Sequence, residues 1–309
     1  MQTEAPPNPE VVMEKQPAGS VVGIWRYPVK SMMGEELNAS EVTERGLLGD
    51  RAYGLMDRST GKVASAKNPR KWPRLFDFRA AYVEAPRRGA QLPEVRITLP
   101  DGAVLTSGQA NLDQTLSREL QREVTLEEAD PGRQPGPRSR VPTPRASEPA
   151  RAEEYWPDME GLDYRDTVTD FDMPEHTFFD LAVVHVLTTA TLDRLRELYP
   201  QGRFEVRRFR PNIVVRPPDD AIGFVENDWI GSTVSIGDGV RLSVTGPCPR
   251  CVMTTLPQGD LPKDSGILRT AARHNQTNVG VYAAVVRGGE VRRGAAVMVE
   301  EPVAAPLQV

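Results

Sequence analysis

Short apolar segments separated by turn residues dominate the first half of the chain and predict a series of β-strands. These segments are residues 21–29 (VVGIWRYPV), 51–66, 74–84, 95–100 and 103–107. The second of them predicts two short strands around a turn at residues 57–61. Residues 111–120 place leucines at four-residue spacing and indicate a helix, with Asn111 as its N-cap.

The second half shows the same alternation of strand-like and helical patterns. The expected strands are residues 181–187 (LAVVHVL), 209–215 (FRPNIVV), 240–246, 251–256 (CVMTTL), 279–289 and 294–302. Leucines recur at helical spacing over residues 188–198 after a threonine cap, and residues 267–274 predict a second, shorter helix. Many short strands with few helices indicate a mostly β, α+β chain built from small barrels or sandwiches.

Composition shifts suggest where the folded parts begin and end. We expect a disordered tail at residues 1–19, a first β domain at 20–129, a second at 155–303 and a short C-terminal tail at 304–309. Residues 130–154 between the domains are rich in proline and arginine. This stretch is either a solvated linker or a mobile basic lid over an anionic ligand.

Charge and hydropathy exclude several functional classes. The chain has 38 Lys+Arg against 43 Asp+Glu, a formal charge of −5, which argues against a nucleic-acid partner. No apolar run approaches the roughly 18 residues of a membrane helix, so no membrane partner is expected. The first twenty residues lack the basic and apolar regions of a signal peptide. A reducing cytoplasm is the expected compartment, and two cysteines in 309 residues exclude a disulfide-built scaffold.

Both cysteines lie in one motif, Cys248-Pro-Arg-Cys251. A structural zinc site would need about four nitrogen or sulfur ligands, and the chain offers three histidines and no second cysteine pair. A thioredoxin-like redox pair would need a helix that begins at the cysteines, whereas the β-branched residues that follow favour a strand or loop. One special thiolate, flanked by Arg250, could ligate a soft metal or act as a nucleophile. Two buried thiols without a role remain the plain alternative.

Other polar residues lie where strands meet loops, and each has a structural alternative to anion binding. The candidates are Lys30, Ser31, Arg51, Thr188, Thr189, Arg210 and Asn212. Cations and hydroxyls at such junctions can hold a phosphate, but a lysine at a strand end, an ion-paired arginine or a helix cap explains each one alone. The chain has no glycine-rich nucleotide fingerprint and too few cysteines for a four-cysteine iron–sulfur cluster, so electrons for a redox reaction must come from elsewhere.

Four segments together resemble the MOSC family with its N-terminal β-barrel companion domain, in the group that includes the mitochondrial amidoxime-reducing component. They are YPVKS at 27–31, GDRAYGLMD at 49–57, RFRPNIVV at 208–215 and CPRCVMTT at 248–255. The resemblance implies that residues 20–129 form the MOSC N-terminal β-barrel domain and that 155–303 form a β-barrel MOSC domain. Where the amidoxime reducers have serine before the arginine of the cysteine motif, this chain has Pro249.

The resemblance also implies a molybdenum cofactor, a pterin dithiolene that holds molybdenum. Cys251 would be the catalytic residue and the molybdenum ligand. The implied cofactor-binding residues are Lys30, Ser31, Arg51, Thr188, Arg210, Asn212 and Arg250. The resemblance further implies pyridoxal phosphate binding, as a property associated with the family as a whole.

The implied activity is the reduction of small N-hydroxylated compounds, such as amidoximes and hydroxylamines, with electrons from a separate reductase, ferredoxin- or cytochrome-type protein. Sulfur transfer through a Cys251 persulfide is the alternative proposed for relatives fused to cysteine desulfurases. A non-catalytic cofactor carrier is the third possibility.

Overall fold

The computed structural model describes residues 13–129, 149–159 and 166–302. The strands of the first half are β1 (Met13–Arg26), β2 (Glu35–Leu37), β3 (Ala39–Thr43), β4 (Gly46–Leu47), β5 (Tyr53–Asp57), β6 (Arg79–Tyr82), β7 (Val95–Thr98), β8 (Val104–Thr106) and β9 (Val124–Glu128). Its helix is α1 (Leu112–Leu120).

The strands of the second half are β10 (Arg151–Trp156), β11 (Thr167–Asp172), β12 (Val184–Thr188), β13 (Ile213–Arg216), β14 (Thr233–Ile236), β15 (Val240–Pro249), β16 (Asn278–Arg287), β17 (Gly289–Arg292) and β18 (Ala296–Pro302). Its helices are α2 (Thr189–Leu198), α3 (Val206–Phe209) and α4 (Gly266–Asn275). Short 3-10 turns occupy Leu75–Asp77, Val225–Trp229 and Val252–Thr255. The mostly β fold expected from the sequence is confirmed.

A closed seven-stranded barrel forms the larger β structure. Its strands follow the order β13, β12, β16, β15, β14, β18 and β1, and β1 closes the ring by pairing with β13. The pair β12–β13 is parallel, and the other pairs in the ring are antiparallel. Apolar side chains that alternate along these strands, among them Ile24, Val186 and Leu242, fill its interior.

Strand β1 belongs to the barrel of the second half although it lies at the beginning of the chain. It starts at Met13 and pairs with β18, so the predicted disordered tail is wrong for residues 13–19. Strand β1, whose residues 20–26 were assigned to the predicted first domain, therefore belongs to the second barrel. It pairs with β13 and β18, whose edges would otherwise lack hydrogen-bond partners. Residues 1–12 and the predicted tail at 304–309 lie outside the described residues.

The first half builds its own core from short strands and α1. Strand β5 pairs with β9, and β6, β7 and β8 form a separate sheet. The second strand expected within residues 51–66 is reduced to isolated bridges, in which Val63 pairs with Met56 of β5 and with Ala152. Helix α1 begins where expected, but the Asn111 side chain makes no capping hydrogen bond.

The hairpin of β10 and β11 packs on the first half rather than on the second barrel. Ala152 bridges to Val63, and both are buried with Met173 and Phe178. The expected linker at 130–154 is therefore wrong for residues 151–154, which are strand. Residues 130–148 of that linker lie outside the described residues. No helix in the described part of the chain is long and apolar enough to cross a bilayer.

Candidate functional site

The two halves meet at the segment that follows Cys251. The expected strand at 251–256 is wrong, since Val252–Thr255 forms a 3-10 turn. The Cys251 carbonyl accepts hydrogen bonds from the Thr254 amide at 3.2 Å and the Thr254 hydroxyl at 3.0 Å, which satisfies polar groups that a strand would pair along a ladder. Val252 and Met253 are buried in the core of the first half. Cys251 is thereby held at the boundary between the halves.

The Cys251 thiol is half-buried against the same core. Burial, together with the negative charge of Glu154, raises its pKa to about 11, although Lys67 and Arg250 act in the opposite direction. A thiol with this pKa stays protonated at neutral pH. A soft metal ion at the sulfur would supply the positive charge that favours the thiolate.

Cys248, three residues earlier on β15, has a different environment. It is 0% exposed, and the Arg250 Nη1 group donates to its sulfur at 2.6 Å. Arg250 Nη2 donates to the Phe209 carbonyl at 2.8 Å, while its Nε is buried with no hydrogen-bond partner among the described residues. The two cysteines are therefore unequal, and the guanidinium between them retains an unused donor.

Lys30 and Ser31 lie in the turn after β1. The Lys30 ammonium is buried, forms an ion pair with Asp180 and donates to the Phe178 carbonyl at 3.1 Å. Burial lowers the pKa of Lys30, and the Asp180 carboxylate opposes that effect. The Ser31 hydroxyl accepts a hydrogen bond from the Ala66 amide at 3.0 Å.

Arg51 and Arg210 both approach the ring of Tyr27. Their guanidinium carbons lie 5.2 Å and 4.1 Å from the ring centroid. Arg51 pairs with the buried carboxylate of Asp50, whereas Arg210 donates to the Met32 carbonyl at 2.6 Å. Burial lowers the pKa of Arg210 to about 10, so the group remains charged at neutral pH.

Hydrogen bonds between the motifs explain why four separated segments converge. The Tyr27 hydroxyl donates to the Pro211 carbonyl at 3.2 Å. The side-chain amide of Asn212 donates to the carboxylate of Asp50 at 2.9 Å. Arg208 donates to the carbonyls of Thr254 and Leu256, each at 3.2 Å. Direct hydrogen bonds within the chain thus hold the motifs together.

Thr188 and Asn212, both expected to bind a cofactor, each make at least two side-chain hydrogen bonds within the protein. The Thr188 hydroxyl donates to Glu226 at 2.5 Å and accepts from the Thr191 amide at 3.2 Å, so it caps α2. The Asn212 side chain accepts from the His185 amide at 3.1 Å in addition to donating to Asp50. Both residues are almost fully buried. A cofactor role for either residue stays a prediction. The hydroxyl contacts of Thr188 are those of a helix cap, the structural alternative that the sequence suggested.

Sequence reasoning missed three charged residues of the site. Lys67 pairs with Glu154 at 3.1 Å and with Asp180 at 3.5 Å. Asp180 directly precedes the apolar segment 181–187, the one signal that could have identified it. Lys67 lies in a turn, and Glu154 lies in β10, a strand that the hydrophobic pattern does not predict.

Positive charge exceeds negative charge in this cluster. Its described cations are Lys30, Lys67, Arg51, Arg210 and Arg250, and its described carboxylates are Asp50, Glu154 and Asp180. Five cations against three carboxylates leave an excess of two, which is costly where side chains are removed from water. An anionic ligand beside Cys251 would offset this excess.

The described residues offer no preformed site for a protein-ligated metal. No group of three or more His, Cys, Asp or Glu side chains within residues 13–129, 149–159 and 166–302 is arranged to hold a metal ion. A metal that binds through Cys251 would therefore need most of its ligands from another molecule.

Comparisons with known proteins agree with the two-part organisation. The MOSC domain model matches residues 174–298, and the model of the MOSC N-terminal beta barrel domain matches residues 18–130. The crystal structure of the YuaD protein from Bacillus subtilis is similar at 12% sequence identity and a TM-score of 0.45, over 94% of this chain and 99% of that protein. YiiM from Geobacillus stearothermophilus matches at 18% identity and a TM-score of 0.30, over 39% of this chain and 55% of that protein. No curated protein matches the chain.

Proposed function

Because the chain belongs to the MOSC domain family, which is associated with molybdenum cofactor binding, we propose that it is a molybdenum-cofactor-dependent oxidoreductase that reduces N-hydroxylated compounds. The observation that carries the proposal is the half-buried Cys251 thiol beside a cluster with two more cations than carboxylates. A soft metal bound to an anionic organic ligand suits both features.

The residues present fit such a cofactor. Cys251 supplies a sulfur ligand of the softness that molybdenum in a dithiolene requires. Lys30 and Arg210 supply buried positive charge, and Arg51 supplies half-buried positive charge, suited to a terminal phosphate. The unpartnered Nε of Arg250 is a donor one residue away from the thiol.

The chain's own residues bind and orient, while the cofactor, when bound, supplies the two-electron oxygen-removal chemistry. Reduction of a hydroxylamine consumes two electrons and two protons and yields an amine and water. Cys251 would anchor the metal end. Arg250, fixed by the Phe209 carbonyl, would donate to the anionic group nearest the thiol. Burial of Val252 and Met253 in the core of the first half fixes the backbone that carries Cys251 and Arg250.

A separate protein would supply the electrons in this proposal. The sequence carries no nicotinamide fingerprint and too few cysteines for a four-cysteine cluster. The donor is therefore proposed to be a reductase, ferredoxin- or cytochrome-type partner. Pyridoxal phosphate binding, the other family association, stays a prediction.

Metal analysis and donor dependence test the function. Protein purified from molybdate-replete cells should contain about one molybdenum and one pterin per chain. It should reduce an N-hydroxylated substrate with reduced methyl or benzyl viologen, and it should fail with NADH or NADPH alone. Sulfane sulfur without molybdenum would replace the proposal by sulfur transfer. Full molybdenum loading with no viologen-driven turnover would indicate a carrier. NADH-driven turnover by partner-free protein would contradict the separate donor.

Loss of one phosphate-site cation should weaken cofactor retention more than stability. We expect Lys30→Ala and Arg51→Ala to lower the molybdenum content after extended dialysis about tenfold, since a charge-assisted hydrogen bond contributes about 1.5–3 kcal/mol. Arg241→Ala is the matched control, because Arg241 pairs with the buried carboxylate of Glu300 at the opposite end of β15 from Cys251. Equal molybdenum content in all three variants would show that Lys30 and Arg51 serve the protein fold alone.

A further inference from the structure

Tyr27 is joined by direct hydrogen bonds to the segments that carry Arg51 and Arg210. Its amide donates to the Asp50 carboxylate at 2.7 Å, and its carbonyl accepts from the Arg51 amide at 2.8 Å. Its hydroxyl donates to the carbonyl of Pro211, the residue after Arg210, at 3.2 Å. Tyr27 is 2% exposed. These contacts fix the ring beside one arginine from each half of the chain.

Five side chains form an alternating array of rings and cations, in the order Phe179, Arg51, Tyr27, Arg210 and Phe76. Arg51 lies over the Tyr27 ring at 5.2 Å from its centroid and over the Phe179 ring at 5.3 Å. Arg210 lies over the Tyr27 ring at 4.1 Å and over the Phe76 ring at 5.6 Å. Among the described residues, Tyr27 is the ring that both guanidinium groups share. Its negative face offsets part of the repulsion between the two cations.

Both arginines lie at backbone positions that favour glycine. The angle φ is 47° at Arg51 and 54° at Arg210, in the left-handed region. Such conformations persist only where the surrounding structure holds them, and they are concentrated at ligand-binding sites. Within the described residues, the hydrogen bonds of both guanidinium groups use Nη1, which donates to Asp50 in one case and to the Met32 carbonyl in the other. The Nε and Nη2 groups of each arginine are thus left as donors for a ligand.

We propose that Tyr27 is a positioning residue, which sets Arg51 and Arg210 as a pair of donors for the terminal phosphate of the cofactor. This inference rests on the proposed function. A guanidinium group that stacks on a ring directs its N–H bonds sideways, in its own plane. Stacking two such groups on one ring therefore leaves both donor edges free for a shared anion. The negative charge of the phosphate would also offset the remaining repulsion between the two arginines.

The test compares Tyr27 with Tyr82, a second buried tyrosine that contacts an arginine. Tyr82 is 5% exposed, its hydroxyl donates to the Gly49 carbonyl at 2.9 Å, and Arg26 lies 4.8 Å from its ring centroid. Arg26 itself pairs with Glu35 at 2.8 Å. Replacing either tyrosine by leucine removes a buried ring and a hydroxyl bonded to a backbone carbonyl. Only Tyr27→Leu removes the ring that two arginines share.

The readouts are molybdenum and pterin per folded chain, beside the melting temperature of each variant. We expect Tyr27→Leu to lower molybdenum content at least tenfold and Tyr82→Leu to keep at least half of it, with similar falls in melting temperature. Tyr27→Phe retains the ring and should keep more than half of the molybdenum content, because the ring rather than the hydroxyl holds the guanidinium groups.

Two further variants separate positioning from folding. Arg210→Lys leaves Tyr27 intact and keeps the positive charge, but it loses the planar group that stacks, so molybdenum content should fall at least threefold. Tyr27→Leu combined with Arg51→Ala should fall no more than threefold below Tyr27→Leu alone. Residues that act through one another lose the same interaction once, whereas independent losses multiply.

Three outcomes would overturn the inference and leave the proposed function standing. They are wild-type molybdenum content in Tyr27→Leu or in Arg210→Lys, an equal loss in Tyr27→Leu and Tyr82→Leu, and losses that multiply in the combined variant. Absence of molybdenum from the wild-type protein would overturn the proposed function, and this inference with it.

Discussion

Cys251→Ser should leave no measurable molybdenum-dependent turnover and less than about a tenth of the wild-type molybdenum content. A serine hydroxyl is a hard, weakly acidic ligand that does not replace a thiolate on a metal already bound by sulfur. The measurement is metal content beside viologen-driven reduction, on protein whose melting temperature has been checked. Since Cys251 is half-buried and the rest of the turn is unchanged, we expect the fold to survive.

Cys248→Ser is the matched control. The serine oxygen can still accept the hydrogen bond that Arg250 donates to the Cys248 sulfur, so Arg250 keeps its orientation. We expect most of the activity and molybdenum content to remain. Equal loss in the two variants would indicate a dithiol or a metal site shared by both cysteines.

Arg208→Leu should produce a large loss of stability at the boundary of the two halves. Arg208 is 0% exposed and donates to four carbonyls, those of Arg203, Thr254, Leu256 and Pro262. The bonds to Thr254 and Leu256 are buried, and each acceptor left without a donor costs about 1–3 kcal/mol. We expect unfolding to be easier by about 4 kcal/mol, a fall of roughly 10 °C in melting temperature.

Arg207→Leu controls for the loss of an arginine at the neighbouring position. Arg207 pairs with Glu205 at 2.7 Å and Asp260 at 2.6 Å in more exposed surroundings, where an ion pair contributes about 1 kcal/mol or less. Thermal unfolding should separate the two variants clearly. A fall below about 3 °C for Arg208→Leu would show that water or a shifted backbone satisfies those carbonyls.

Most strands and helices were predictable because they bury one face in a regular period. Residues 181–187, 209–215 and 279–289 each contain all but one residue of a strand, and α2 and α4 lie where leucine and isoleucine spacing indicated helices. The segment at 251–256 was not predictable in this way. Its β-branched residues favour a strand, but the hydroxyls of Thr254 and Thr255 bond to carbonyls three residues back and stabilise a turn.

The candidate site was predictable only as far as its motifs. The structure brings together the segments that contain Lys30, Arg51, Arg210 and Arg250. The sequence could not show that the side chains of Thr188 and Asn212 form hydrogen bonds with Glu226 and Asp50. It also could not identify Lys67. The carboxylate that holds it, Glu154, is more than eighty residues away, and only the fold makes them neighbours.

Closure of the barrel by β1 ties the folding of the chain to its full length. The strand that holds residues 13–26 finds its partners at 213–216 and 296–302, so the ring forms only after nearly the whole chain is available. Contacts this distant in sequence slow folding, because the entropy of closing the loop precedes the gain from pairing. A cut between the two family domains would leave β1 on the wrong fragment. In the first fragment, β1 would lack its hydrogen-bond partners. In the second fragment, the barrel would remain open between β13 and β18.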